Sequence, residues 1–161
     1  MIPLMYKAIF VDFDDTLCIH GVRPDSFSSS GLDYRRRCIA GVSSYEYSRL
    51  NTGLVELLKE ARKNGAKLFL VGHITTSLCI DIKKDYLITN IGEDIFEKYI
   101  GVCKREDKVP VICDVLKVYN MSKSVALVID DHIDTNVEAE AVGIDARTPL
   151  YMQRYEGDSE E

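Results

Sequence analysis

Short apolar runs alternate along the chain with longer stretches whose apolar residues recur at helical spacing. Residues 8–11, 67–71 and 125–129 are almost uniformly apolar, which is typical of buried strands, and residues 99–102 and 144–146 predict two shorter strands. The helical stretches begin near residues 52, 75, 109 and 134 and end near residues 64, 87, 119 and 142, whereas residues 91–97 fit either a short helix or a loop. Strands that alternate with helices predict an α/β fold, a doubly wound parallel sheet with helices on both faces.

Two stretches lack a sustained period of either kind. Residues 18–50 begin with a predicted hairpin around Gly21, pass through a Ser/Gly-rich loop and the run Arg35-Arg36-Arg37, and are interpreted as a mobile flap. The arginine run is either a solvated surface or a rim that recognises anions. Residues 151–161 end in a run of acids and predict a flexible tail. We therefore expect one domain over residues 1–150, with an insertion at 18–50 and a tail at 151–161.

The composition of the 161 residues, 46% hydrophobic and 29% charged, fits an ordinary globular domain. No apolar run approaches the ~18 residues of a membrane span, and no secretion signal pattern opens the chain. The five cysteines contain no Cys-x-x-Cys pair, which indicates free thiols and predicts a cytoplasmic protein. A net charge of −6 argues against a broad nucleic-acid surface, so nucleic acid is expected only as a substrate. The oligomeric state stays open.

The first predicted strand ends in an acidic segment, in which Asp12, Asp14 and Asp15 are followed by Thr16. Burying unpaired carboxylates is costly, so such a cluster is expected to hold a cation, and its oxygen ligands suit Mg²⁺. If the strand geometry continues, Asp12 and Asp14 point to the same side. One carboxylate can then attack an electrophile while the other handles a proton. A capped turn is the alternative interpretation.

A second acidic pair, Asp130 and Asp131, ends the strand predicted at residues 125–129. Parallel strands end at the same edge of a sheet, so both acidic clusters are expected in one pocket. Five acids at one edge repel each other unless a divalent metal or a lysine lies among them. Lys108 opens the helix that leads into this strand, where the helix dipole disfavours a cation, and we therefore expect a functional role for it. Lys104 is the alternative lysine.

The segment Asp-Phe-Asp-Asp-Thr-Leu at residues 12–17 resembles the first motif of the haloacid dehalogenase-like (HAD) superfamily, Asp-x-Asp-x-Thr-Leu. The later lysine and acidic pair resemble that family's further motifs in order and spacing, so the resemblance covers about residues 7–146. It implies a Rossmann-like fold and a phosphatase in which Asp12 is the nucleophile and Asp14 the general acid/base. By the same resemblance Lys108 stabilises charge, and Mg²⁺ is held by the Asp12 carboxylate, the Asp14 backbone carbonyl and Asp131.

The sequence departs from the family pattern at two places. The second motif of the family ends its strand in Ser or Thr, whose hydroxyl binds the phosphoryl group, whereas Gly72 and His73 stand here. The backbone N–H groups of these residues are expected to bind substrate together with Thr16, and the missing hydroxyl predicts a slow enzyme that Gly72→Ser would accelerate. Thr135 stands where a further acid is common.

The sequence leaves three rival interpretations open. His20, His73 and His132 all follow predicted strand ends, which would suit a transition metal if they converged. A receiver domain of phospho-relay signalling also places acids at strand ends. A catalytically impaired HAD-like protein that binds Mg²⁺ and a phosphorylated ligand without turnover is the main alternative to an enzyme.

The sequence favours a Mg²⁺-dependent phosphoester hydrolase without a cap domain. Caps in the resembled family are inserted after the first motif or between the second and third, and here residues 18–50 and 74–107 are too short for an independent domain once the core helices are subtracted. The expected partner is a phosphorylated small molecule or the phosphorylated end of a macromolecule. No membrane partner is expected.

Overall fold

A computed structural model describes residues 2–19, 45 and 48–150 of the chain. The predicted hairpin around Gly21, the serine-rich loop, the Arg35–Arg37 run, His20 and the acidic tail lie outside the described residues, so their predictions stay open.

A parallel five-stranded sheet organises the described residues, and its strand order is β5-β4-β1-β6-β7. The central strand β1 pairs with β4 on one side and β6 on the other, so that Val11 lies opposite both Leu70 and Ile129. The acidic segments after β1 and β6 therefore leave the sheet at the same edge. The strands are β1 (Ala8–Val11), β2 (Cys18–Ile19), β3 (Arg49–Leu50), β4 (Lys67–His73), β5 (Lys98–Val102), β6 (Ala126–Ile129) and β7 (Asp145–Arg147).

Helices cover both faces of this sheet because alternate strand residues are apolar on each side. One face packs against α1 and α2 through a core that includes Ile9, Val11 and Leu87, and the other packs against α3 and α4 through a core that includes Phe10, Ile112 and Ala139. The predicted doubly wound α/β fold is thereby confirmed. The helices are α1 (Thr52–Lys63), α2 (Ser77–Ile91), α3 (Lys108–Val118) and α4 (Ile133–Ala141), and short 3₁₀ turns occupy Arg105–Asp107 and Lys123–Val125.

The first helix begins and ends where the sequence predicts. The Asn51 side chain accepts a hydrogen bond from the Leu54 backbone N–H, which satisfies one of the unpaired donors of the first turn. Gly65, just beyond the last turn, has φ 92°, a left-handed conformation that a glycine adopts without steric cost.

Other element boundaries differ from the sequence prediction. Strand β4 runs two residues further than predicted, so Gly72 and His73 belong to the strand, and helix α2 continues to Ile91, so residues 92–97 form no helix. Cys18 and Ile19 pair with Arg49 and Leu50, an antiparallel contact between segments about 30 positions apart that no local pattern indicates.

The strand order excludes the receiver-domain interpretation. Numbered along the chain, the strands of the main sheet follow the order 3-2-1-4-5, whereas receiver domains follow the order 2-1-3-4-5. Within the described part of the chain, no helix combines the length and apolar character needed to cross a membrane.

Candidate active site

A tight turn after β1 sets the first acidic cluster at the edge of the sheet. The Asp12 backbone N–H donates to the Ile129 carbonyl at 2.9 Å, which extends the β1–β6 pairing by one residue. The Phe13 carbonyl then accepts hydrogen bonds from the backbone N–H groups of Leu17 and Cys18, at 3.0 and 2.9 Å. Asp15 takes a left-handed conformation with φ 55°, which aspartate tolerates better than most residues. The turn leaves the Asp12 and Asp14 side chains at the edge of the sheet, directly after β1.

Lys108 joins the two acidic clusters. Its Nζ donates to Asp12 Oδ1 at 2.6 Å and to Asp130 Oδ2 at 2.7 Å, and all three side chains are buried. Helix α3 begins at Lys108, so its first turn delivers the ammonium to the sheet edge. Lys104, the alternative lysine, is exposed. The structure therefore brings Lys108, and not Lys104, to the candidate nucleophile.

The electrostatics of this buried group follow from its burial and its charges. Burial raises the pKa of Asp12 to about 7, and the negative charges of Asp130 and Asp14 add to this effect while Lys108 opposes it. Burial lowers the pKa of Lys108, but the attraction of Asp12 and Asp130 outweighs that effect and leaves it above its ordinary value. Burial, Asp130 and Asp15 raise the pKa of Asp131. The site thus holds excess negative charge that a divalent cation would stabilise.

Thr16 connects the two acidic segments from inside the protein. Its Oγ1 accepts a hydrogen bond from the Asp131 backbone N–H at 3.2 Å and lies 3.5 Å from carboxylate oxygens of both Asp12 and Asp131. The Asn51 side-chain amide donates to the Thr16 carbonyl at 3.0 Å, so the helix cap also holds this turn. Thr16 is fully buried, which gives it a positioning role in the structure, and substrate binding by Thr16 stays a prediction.

Three carboxylates form a group that fits a small hard cation. One oxygen from each of Asp12, Asp130 and Asp131 lies within 4.8 Å of the others, and an all-oxygen set of this kind suits Mg²⁺. The Asp14 carboxylate is not in this group. The sequence-based prediction that Asp14 binds the ion through its backbone carbonyl stays a prediction.

Helix α4, which follows β6, makes a hydrogen bond to the backbone of the acidic pair Asp130-Asp131. Asn136 donates from its side-chain amide to the Asp130 carbonyl at 2.8 Å. Thr135, which stands where the family often has an acid, is fully buried in helix α4.

A second buried lysine, which the sequence analysis did not single out, pairs with Asp14. The Lys83 side chain is 0% exposed, and its Nζ forms an ion pair and hydrogen bond with Asp14 Oδ2, whose side chain is 32% exposed. The ammonium also lies 4.7 Å from the centre of the Phe13 ring and 5.9 Å from that of Tyr45, distances at which a cation is attracted to an aromatic face. The sequence signal that could have indicated its burial is spacing: the buried residues of α2, Cys79, Lys83 and Leu87, follow one another at intervals of four.

Gly72 lies beside this second lysine at the end of β4. A Cβ placed on Gly72 would lie 3.5 Å from Lys83 Cδ, 3.7 Å from its Nζ and 3.6 Å from Phe13 Cβ, all ordinary contacts. Gly72 has no left-handed φ, so a larger side chain is compatible with the backbone there.

The two described histidines do not join the carboxylate group. His73 makes a 2.9 Å hydrogen bond from Nε2 to the Cys103 carbonyl at the β5 edge. His132 is about half exposed, with Nδ1 3.9 Å from Asp134 Oδ2. Among residues 2–19, 45 and 48–150, the group that could hold a metal contains aspartates alone, which favours Mg²⁺ over a histidine-bound transition metal.

Several solved structures share this architecture. CbbY from Rhodobacter sphaeroides, solved in complex with phosphate, has a TM-score of 0.64 at 13% identity over 89% of this chain and 85% of that chain. A haloacid dehalogenase-like family hydrolase from Streptococcus pneumoniae has a TM-score of 0.60 at 15% identity over 92% and 91%. The N-terminal part of a Bacteroides fragilis protein, containing a phosphatase domain complexed with Mg, has a TM-score of 0.58 at 13% identity over 92% of this chain and 40% of that chain.

These similarities define the fold as haloacid dehalogenase-like, in agreement with the resemblance of the sequence motifs. Neither a protein-family model nor a curated protein sequence matches the chain. At 13–15% identity the three structures show the fold alone.

Proposed function

We propose that this chain is a Mg²⁺-dependent phosphoester hydrolase of the HAD superfamily that acts through an aspartyl-phosphate on Asp12. The observation that carries the proposal is the position of Asp12. Its carboxylate is buried at the end of the central strand, contacts the Lys108 ammonium at 2.6 Å and lies within a group of three carboxylates. A buried nucleophile beside an ammonium and a cation site is the arrangement that phosphoryl transfer requires, because the reaction depends mainly on positioning and charge stabilisation.

The residues that would hold Mg²⁺ are Asp12 and Asp131, with Asp130 beside them and the Asp14 backbone carbonyl as a further expected ligand. When bound, the ion supplies positive charge that neutralises the phosphoryl oxygens and the carboxylates around them. The three carboxylates fit this ion because they offer hard oxygen ligands. Asp130 already accepts hydrogen bonds from Lys108 Nζ and from the His132 backbone N–H, so we assign it mainly to positioning Lys108.

The proposed reaction has two in-line steps. In the first, an Asp12 carboxylate oxygen attacks phosphorus, the bond to the ester oxygen breaks, and Asp14 gives that oxygen a proton. In the second, Asp14 takes a proton from a water molecule whose oxygen attacks the same phosphorus, which releases inorganic phosphate and restores Asp12. Lys108 holds Asp12 in place and stabilises negative charge in both steps.

The proposed substrate is a phosphorylated small molecule or the phosphorylated end of a macromolecule, with nucleic acid only in that role. Between β4 and α3 the described chain contains α2 and β5, both parts of the core fold, and no inserted cap. A site without a cap would admit bulky phosphates. The four described cysteines are free thiols, which supports a reducing compartment such as the cytoplasm.

One observation favours the second candidate, a protein that binds Mg²⁺ and a phosphorylated ligand without efficient turnover. Asp14 must give a proton to the leaving oxygen in the first step, yet its carboxylate is engaged in an ion pair with the Lys83 ammonium. If this pair persists when substrate is bound, the leaving oxygen receives no proton and only esters with good leaving groups react.

A panel of phosphate esters with Mg²⁺, including 3′- and 5′-phosphorylated oligonucleotides, tests the proposal and separates the two candidates. We expect Mg²⁺-dependent release of phosphate that Asp12→Asn removes. Asp114→Asn, which changes an exposed aspartate on α3, is the matched control and should retain the wild-type rate. Mg²⁺ and phosphate binding without hydrolysis of any ester would support the second candidate.

A further inference from the structure

We infer that Lys83 is a phosphoryl-binding residue, and that its ammonium takes the place of the hydroxyl that Gly72 lacks. The inference rests on the proposed function for the nature of the ligand. It assigns to a residue of helix α2 the anion-binding role that the family gives to the strand end.

The burial of Lys83 is the first observation. Lysine is almost never fully buried unless it is paired, and the Lys83 side chain has no exposed surface and is paired with Asp14. Its carboxylate partner, Asp14, is 32% exposed, so solvent, and with it a ligand, can reach the carboxylate end of this ion pair. A lysine that served only to fill the core would be better replaced by an apolar side chain such as methionine.

The position of the ammonium relative to Gly72 is the second observation. Nζ lies 3.7 Å from the point where a Cβ on residue 72 would stand. A hydroxyl on that Cβ would therefore either contact the ammonium or occupy its volume. Glycine at position 72 leaves the space in which the end of the Lys83 side chain lies.

The chemistry of the ammonium is the third observation. A cationic donor binds a phosphoryl oxygen more strongly than a neutral hydroxyl does, and Lys is a common phosphate-binding residue. The ammonium has three donors and no acceptor, so a phosphoryl oxygen can replace Asp14 as its partner when substrate binds, which leaves Asp14 available for proton transfer. His73 is a weaker candidate for this role, because its Nε2 contacts the Cys103 carbonyl on the β5 side.

The test compares Lys83→Met, Lys83→Arg and the double variant Gly72→Ser/Lys83→Met. Lys84→Met is the matched control, because Lys84 is the next residue of the same helix and its Nζ lies 5.2 Å from the centre of the Tyr99 ring, away from Asp14. Binding of inorganic phosphate in the presence of Mg²⁺ is measured by calorimetry, and KM and kcat are measured with an ester that the wild type hydrolyses. Thermal unfolding shows whether each variant is folded.

We expect Lys83→Met to weaken phosphate binding by about tenfold or more, as the loss of a charge-assisted contact implies, while Lys84→Met stays within about twofold of the wild type. Lys83→Arg should retain part of the binding. Adding Gly72→Ser to Lys83→Met should recover at least about threefold by restoring a neutral donor. In the wild-type background Gly72→Ser should bring little gain, in contrast to the acceleration expected from the sequence alone, because the ammonium already fills the role.

Phosphate binding by Lys83→Met within about twofold of the wild type would overturn the inference and leave Lys83 a structural ion pair. If Lys83→Met does not fold, the Nζ resonance of wild-type Lys83 decides by NMR: phosphate and Mg²⁺ should shift it, and an unmoved signal overturns the inference. The two proposals fail separately. A wild type that binds phosphate through Lys83 but hydrolyses no ester contradicts the proposed function, whereas an active enzyme indifferent to Lys83→Met contradicts the inference.

Discussion

The two buried lysines of the site arrive from opposite faces of the sheet and meet different surroundings. Lys108, from α3, lies between two buried carboxylates of adjacent strands, Asp12 and Asp130. Lys83, from α2, meets the partly exposed carboxylate of Asp14 and the faces of aromatic rings. The first lysine completes a closed network of buried charges, whereas the second is paired with a carboxylate that water can reach. A closed network suits a positioning role, and an ammonium whose carboxylate partner is partly exposed suits the binding of a ligand.

The largest expected effect is on the Lys108 side. Asp12→Asn should lower kcat by at least about 10⁴-fold, because an amide cannot form the acyl-phosphate, and loss of a nucleophile is among the most severe single changes in enzymes. The fold should be retained. Steady-state rates with Mg²⁺ measure the loss of activity, and circular dichroism shows whether the fold is retained. Near-wild-type activity in this variant would contradict the covalent mechanism.

The matching change on the Lys83 side should be milder. Asp14→Asn removes the general acid/base and is expected to cost about 10²–10⁴-fold in rate. The loss should shrink for an ester whose leaving group needs no proton, such as a nitrophenyl phosphate, when the first step is measured alone. A loss independent of the leaving group would show that Asp14 does not act as the acid.

The two lysines should also differ in what they contribute to stability. Lys108→Met leaves Asp12 and Asp130 buried without their cation, which should lower the free energy of unfolding by about 3 kcal/mol. Lys83→Met should change it by less than about 1 kcal/mol, because water can reach Asp14 and the methionine fills the apolar part of the site. Urea unfolding without Mg²⁺ measures both values. Equal losses of unfolding free energy in the two variants would contradict the contrast between Lys108 in a closed network and Lys83 beside a partly exposed carboxylate.

The smallest expected effect is the pH dependence of Mg²⁺ binding. Burial raises the pKa of Asp12 to about 7, so this carboxyl is largely protonated below that pH and Mg²⁺ must displace its proton. The affinity should therefore rise with pH up to about 7 and level off above it. Calorimetry in two buffers of different ionisation enthalpy would detect the released proton. An affinity that does not change between about pH 6 and 8 would contradict this assignment.

Much of the site around Lys108 could be predicted from the sequence, because its residues lie directly at the ends of strands or at the start of a helix. Asp12, Thr16 and the Asp130-Asp131 pair directly follow apolar strands, and parallel strands bring their ends to one edge whatever the detailed packing. Lys108 could be found because it opens a helix at that same edge.

The Lys83 side was not predicted because its parts meet only through packing. A lysine within a helix usually faces solvent, and α2 carries apolar residues around much of its circumference, so its buried stripe is hard to recognise. The two extra residues of β4 and the pairing of Cys18 with Leu50 also depend on tertiary contacts. The sequence shows that Gly72 lacks a hydroxyl, but it does not show that the Lys83 side chain lies in the space beside Gly72.

Direct detection of the covalent intermediate tests the central claim, that Asp12 is the nucleophile of a phosphoester hydrolase. Asp14→Asn accumulates the adduct if the first step proceeds with a good leaving group while the second lacks its base. After a rapid quench of this variant with nitrophenyl phosphate and Mg²⁺, mass spectrometry of the peptides should show one phosphoryl group on Asp12. Ester hydrolysis by the wild type with no adduct in this variant, or with the adduct on another residue, would contradict the claim.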